Sequence, residues 1–224
     1  MRKIFLTVVI FFPLFSLAQI GIKAGVNFAN VTNASDISAS NNTGFHAGIF
    51  LAPPSAGVMG YRTELLFSRQ GYNFGTNTNT GVVDLDYILL PQLMSINITK
   101  FFSIQVGAQM AFLINAKADT TTSSGTSNPY SGIMDYYNKF DYGFAGGIEI
   151  HPFKGLLVGA RYNISLGNLY KDPSSYDPNT GGQPPSFIPQ VDVKNNVFQL
   201  SVGWIFGGNS SKKKEKQSQT QPQQ

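Results

Sequence analysis

Asn196-Val-Phe-Gln-Leu-Ser-Val-Gly-Trp-Ile-Phe206 alternates with a period of two. Phe198, Leu200, Val202, Trp204 and Phe206 are large and apolar, and Gln199, Ser201, Gly203 and Ile205 fill the places between them. Successive side chains of a β-strand point to opposite faces, so this is a strand with one greasy face and one polar or crowded face. The greasy face ends in Trp204 and Phe206, aromatic types favoured where a bilayer meets water.

Seven further segments carry the same alternation: Ile20–Phe28, Thr43–Ala52, a run from about Val58 to Tyr72, Val83–Ile98, Phe101–Ile114, Phe140–Ile150 and Leu156–Leu166. Most reach the roughly 9–11 residues that a tilted membrane strand needs. In Val83–Ile98, Ile88, Leu90, Met94, Ile96 and Ile98 share a face, although Leu89, Pro91 and Leu93 oppose them. The connections alternate in length. Residues 53–57, 99–100 and 151–155 are short, whereas 29–42, 73–82, 115–139 and 167–195 are long. Short turns at one end and long loops at the other are the asymmetry of outer-membrane barrels, with the short turns in the periplasm.

The N-terminus agrees with export. Arg2 and Lys3 precede an apolar run, Ile4–Leu17, of 14 residues, and Ser16-Leu-Ala18 supplies the small residues of a signal-peptidase site. That run is shorter than the roughly 20 residues of a spanning helix, and no later stretch reaches that length. The expected organisation is a cleaved signal peptide at 1–18, an outer-membrane β-barrel at 19–206 and a disordered Lys/Gln-rich periplasmic tail at 207–224. The fold class is all-β, an eight-stranded antiparallel up-and-down transmembrane β-barrel. A soluble lipocalin-like barrel is the alternative. The aromatic-tipped last strand and the loop asymmetry argue against it.

The sequence pI of 9.2 misleads. Two positive charges leave with the first segment and a net three sit in the tail, so the formal +4 becomes −1 over residues 19–206. A nucleic-acid surface is not supported. The absence of cysteine excludes a disulfide scaffold and thiolate metal sites.

The faces opposite the greasy ones place Lys23, His46, Arg62, Glu64, Asp141, Glu149 and Arg161 toward the lumen, with Asn27, Gln105, Gln109, Asn163 and many glycines between them. Three positive and three negative charges there allow internal pairing. Glu64 and Arg161 stand on strands four apart in a ring of eight, so the two are expected to pair across the lumen, directly or through Arg62 or Asn163. An interior this narrow is filled by side chains.

The stretches Gly21-Ile-Lys-Ala-Gly-Val-Asn-Phe28, Gly44-Phe-His-Ala-Gly48, Glu64-Leu-Leu-Phe-Ser-Arg-Gln-Gly71, Phe140-Asp-Tyr-Gly143 and Gly159-Ala-Arg-Tyr-Asn163, with the closing strand, resemble the PorT-like outer-membrane β-barrel family of Bacteroidota. The resemblance implies an eight-stranded barrel of the OmpA/OmpX kind in a Gram-negative outer membrane. The family's namesake is linked to protein secretion, and most members have no assigned activity. The fourth strand departs from the family pattern. Leu89 and Ser95 stand where the family tends to carry Glu and Lys, which breaks any shared lumen network there.

Catalysis finds no footing. His46 lies on a lumen face and reads as polar filler, although its place near the loop end is where a barrel enzyme would hold an Asp–His or Ser–His pair. His151 sits in a short turn. No metal motif, nucleophile elbow or phosphate loop occurs, and Asp172, Asp177 and Asn179 match no calcium spacing. No cofactor is implied. The long loops carry Tyr130, Tyr136, Tyr137, Tyr170 and Tyr176, read as an aromatic girdle or a recognition surface. The expected function is a structural or interaction barrel with a closed polar lumen, binding through loops or turns. The alternative is a small-solute pore or an accessory of secretion. Outer-membrane lipid and a periplasmic or surface protein are the expected partners.

Overall fold

The computed structural model of the chain describes residues 19–32, 38–52, 57–75, 79–122, 127–131, 133–171 and 192–206. The expected signal peptide and tail lie outside these residues. The strands are β1 (Gln19–Thr32), β2 (Ser40–Ala52), β3 (Met59–Gly75), β4 (Asn79–Asn97), β5 (Phe102–Thr122), β6 (Ser127–Ser131), β7 (Phe140–Ile150), β8 (Leu156–Ser165) and β9 (Lys194–Ile205). Eight of them form an antiparallel ring in the order β4-β3-β2-β1-β9-β8-β7-β5, closed by pairing of β4 with β5. The ninth, β6, is appended to the far end of β5 from Lys117↔Ser131 to Thr121↔Ser127.

Closure leaves the ring no free edge, which is what lipid demands of a backbone that it cannot hydrogen-bond. The greasy faces point outward: Ile22, Val202 and Phe144 are 50%, 54% and 58% exposed, as they must be if hydrocarbon covers them. Aromatic rings gather at both ends of this band. Tyr61, Phe101, Phe153, Trp204 and Phe206 mark the turn end. Pairs Phe28–Phe198, Phe45–Phe67 and Phe112–Phe140, with centroids 6.3, 5.7 and 5.3 Å apart, mark the loop end. On β4 the faces fall as read, with Met94 outward and Leu89 and Leu93 buried, and Ile98 just past its end is outward too.

Two of the four long connections are not loops as expected. β3, β4 and β5 have 17, 19 and 21 residues against 10 in β8. At about 3.3 Å per residue, β5 carries about 35 Å more strand than β8. Two bulges accompany the extension. The β2–β3 register slips between Asn41 and His46. Beside it, Gly71 has φ +148°, and a Cβ there would lie 1.9 Å from the carbonyl oxygen of Val83, so the position requires glycine. The second bulge falls opposite Asp86 and Tyr87, where Ile114 is the extra residue of β5.

Candidate functional site: the filled lumen and its two mouths

The lumen is filled in three tiers. Nearest the turns is a charged tier. Arg161 on β8 donates to both oxygens of Glu64 on β3, at 2.7 and 2.8 Å, from four strands away around the ring. Arg62 on β3 makes the same two-pronged contact with Glu149 on β7, at 2.6 and 2.8 Å. Arg161 also donates to Gln105 at 2.9 Å. Lys23 Nζ lies 3.5 Å from each Glu64 oxygen, and Arg62 is 3.9 Å from one of them. All five charged residues are at most 5% exposed. Such forked, charge-assisted contacts fix both side chains as well as attracting them. Below them Phe50 lies under the Arg62 guanidinium, 4.5 Å from its centre. The ring crosses above Gly21, where a Cβ would come within 2.1 Å of it.

A neutral polar tier follows. Asn27 Oδ1 accepts from His46 Nδ1 at 2.8 Å and from Gln199 at 3.0 Å. Asn27 Nδ2 donates to Ser68 Oγ at 2.9 Å, Gln70 donates to the same hydroxyl at 2.9 Å, and Asn195 donates to Gln70 at 2.7 Å. His46 is thus held by an amide, and among the described residues no carboxylate or hydroxyl is hydrogen-bonded to it. Among the described residues no cluster of three His, Cys, Asp or Glu has metal-binding geometry.

The third tier, toward the loops, is apolar. Tyr72 and Phe74 of β3, Val83, Leu85, Tyr87 and Leu89 of β4, and Leu113, Ala116 and Ala118 of β5 line one wall. Ile133, Tyr137, Leu169, Tyr170 and Val193 pack onto it from the connections. Ile133 belongs to a 3-10 turn, Ile133–Tyr136, and Tyr137 forms an isolated antiparallel bridge with Tyr170. The Tyr72 hydroxyl meets those of Tyr137, at 3.0 Å, and Tyr170. Burial, against these two hydroxyl contacts, pushes the Tyr72 phenol up to about 12, and burial holds Tyr137 and Tyr170 well above the ordinary tyrosine range.

This arrangement corrects two expectations. Tyr137 and Tyr170 are buried in the cap, at 0% and 6% exposure, and are not offered to a partner. Tyr136 is half-buried against the same core, and Tyr130 pairs through its backbone with Ala118. Tyr176 lies outside the described residues. Asp141, expected on the lumen face among charges that could pair there, lies instead near the loop end away from the charged tier and accepts from Ser165 Oγ at 2.7 Å and from the backbone of Tyr142 and Gly167. The charged tier therefore holds three cations and two carboxylates. Outside the barrel wall, Arg69 grips Asp86 at 2.7 and 3.1 Å, with Asn115 on the same carboxylate at 3.0 Å.

Among the described residues, the turn end is open where the loop end is covered. Residues 57–58, 97, 99–101 and 151–155 surround a concavity of about 740 Å³. His151 connects it to the charged tier, with Nε2 3.2 Å from Glu149.

A family model described as "Outer membrane protein beta-barrel domain" matches residues 13–171. Among solved structures the fold is similar to Ail, the attachment invasion locus protein of Yersinia pestis. The two are 16% identical over 84% of this chain and 99% of that one, with a TM-score of 0.47. It is also similar to Neisserial surface protein A, at 13% identity over 83% and 96% of the two chains with a TM-score of 0.47. For OprG from Pseudomonas aeruginosa the identity is 10% over 86% and 97%, with a TM-score of 0.42. No curated protein matches the sequence significantly.

Proposed function

The chain belongs to the outer membrane protein β-barrel domain family, and from that premise we propose that it is a closed barrel that works by binding at its ends rather than by conduction or catalysis. The observation that carries this reading is the double closure of the lumen. The Glu64–Arg161 and Arg62–Glu149 pairs cross it at one level and the Tyr72–Tyr137–Tyr170 cap fills it at another. A conducting pore would present a continuous stripe of small residues or charge of one sign. Neither fits opposed, bidentate ion pairs beneath an apolar plug.

In this reading residues 1–18 are removed on export, the short turns and the 207–224 tail face the periplasm, and the cap faces outside. The PorT-like family remains the narrower assignment we propose, on the motifs quoted above. At the loop end, Tyr130 and Tyr176 are the candidate contact residues, because Tyr137 and Tyr170 are engaged inside the cap.

Purified protein in a planar bilayer should give no steady single-channel steps. Reproducible open-channel currents would replace this reading with the alternative of a small-solute pore. Labelling of intact cells should modify Ser124→Cys and spare Ser218→Cys; the reverse pattern would invert the orientation.

A further inference from the structure

The concavity at the turn end is lined by Lys100, His151 and Lys154 together with exposed apolar side chains, chiefly Val58, Phe101 and Phe153. No carboxylate is among its described lining residues. Behind it stands the charged tier with one positive charge in excess, Lys23, Arg62 and Arg161 against Glu64 and Glu149. The link between the two is short: His151 touches Glu149 at 3.2 Å, and Arg62 holds Glu149 at 2.6 Å. An uncompensated charge inside a low-dielectric wall projects its field through the nearest aqueous opening, and a cleft lined by one sign of charge focuses it further. The chain's own tail is the wrong occupant, since Lys212, Lys213, Lys214 and Lys216 outweigh Glu215 and share the vestibule's sign.

We propose that this vestibule is a binding site for a small amphipathic anion, a phosphate or carboxylate head on an apolar body. The head would meet Lys100, Lys154 and His151, and the body would lie on Phe101, Phe153 and Val58. The inference rests on the closed-barrel reading, in which the vestibule is a blind pocket facing the periplasm. A phospholipid of the adjoining leaflet and a free amphiphile carry the same chemistry.

The protein supplies its own reporter. Trp204 is the sole tryptophan, and a Cβ on Gly155, a vestibule residue, would lie 3.0 Å from its ring. The test is a titration of full-length protein in non-ionic maltoside micelles, followed by Trp204 fluorescence, with octyl phosphate, octyl glucoside and inorganic phosphate. Octyl phosphate should give a saturable change, and Lys100→Glu with Lys154→Glu should weaken it by about tenfold or more. Octyl glucoside should give no saturable change, and inorganic phosphate should bind far more weakly. An unchanged response in the double variant, or an equal response to octyl glucoside, would overturn the proposal. So would equal affinity for inorganic phosphate, which would leave no role for the apolar body. Lys100→Gln with Lys154→Gln, checked for the heat-shifted mobility of a folded barrel, guards against misfolding of the reversed-charge variant. In nanodiscs, weaker octyl phosphate binding on exchange of phosphatidylcholine for phosphatidylglycerol supports the site with lipid as its source. Unchanged binding there supports it with a free amphiphile. Planar-bilayer currents on the same preparation would sink the closed-barrel reading separately, whatever the titration shows.

Discussion

The turn-end half of the lumen is closed by Arg62, Arg161, Glu64 and Glu149, and the loop-end half by Tyr72, Leu85, Tyr87, Tyr137 and Tyr170. Both halves are buried and crowded, yet they fail differently. In the charged half, removal of one partner leaves an ion buried without its counter-ion, while joint replacement of both by apolar groups removes the desolvation cost as well. In the apolar half, each methylene removed leaves a cavity and its loss stays local. The charged half is fastened to strands held at both ends. The apolar half borrows Ile133, Leu169 and Val193 from connections, so it depends on chain segments that the ring itself does not hold.

The largest effect should come from Glu64→Gln. It strands Arg161 and Lys23 and should cost about 3–5 kcal/mol in urea unfolding followed in micelles. Joining Glu64→Leu to Arg161→Leu and Lys23→Met should recover most of that loss. If single and triple variants were equally unstable, the charged half would not differ in kind from the cap. Next comes Leu85→Ala, expected to cost about 2–4 kcal/mol by cavity formation. Hydrogen exchange should rise around 133–137 and at 169–170, while amides near Arg62 and Arg161 keep their protection. Equal loosening of both halves would break the distinction.

Tyr72→Phe should cost about 1–2 kcal/mol through its lost hydroxyl contacts. The same cluster makes the cap alkali-sensitive. The Tyr72 phenol is raised from 10.0 to about 12, so its contribution is whole below pH 10 and fades as pH rises toward 12. Limited proteolysis should show the connections becoming cleavable over that window, before the ring opens. Arg69→Ala sets the lower end. Its side chain is 41% exposed, so loss of the Asp86 contact should shift stability by under about 1 kcal/mol. A larger shift would mean that the outer wall of the β3–β5 extension stabilises it as much as its interior does.

The ring was legible because it obeys one rule. Every membrane strand must be greasy on one face, so Ile22, Val202, Phe144 and their neighbours mark strand, face and approximate length together. The cross-lumen meeting of Glu64 and Arg161 followed from the strand count and from their distance above the turns. The extension beyond the membrane was not legible. Ala116, Ala118 and Thr120 face inward there and Lys117 and Asp119 outward, so the inward residues are too small to read as a greasy face. The bulge at Ile114 also interrupts the alternation at the point where the extension begins. Loop tyrosines look alike whether they face water or a core. Tyr137 and Tyr170 therefore read as an aromatic girdle or a recognition surface, and only their packing against Tyr72 and Leu85 places them inside.

By itself the sequence determined the barrel, its eight-strand ring, the charged and amide side chains on the inward faces of its turn-end half and which end carries the short turns. These follow from local alternation and from the prohibition on unpaired backbone in lipid, and both act residue by residue. The tertiary structure decided which carboxylates join the charged tier and leave it one negative charge short, and that Asp141 is not among them. It also decided that Ile133, Tyr137, Leu169, Tyr170 and Val193 pack inward as an apolar plug and that, among the described residues, a vestibule lined by Lys100, His151 and Lys154 lies at the other mouth. Those outcomes depend on shear, bulges and contacts between residues more than a hundred positions apart in sequence, such as Gln70 with Asn195, which no local pattern records.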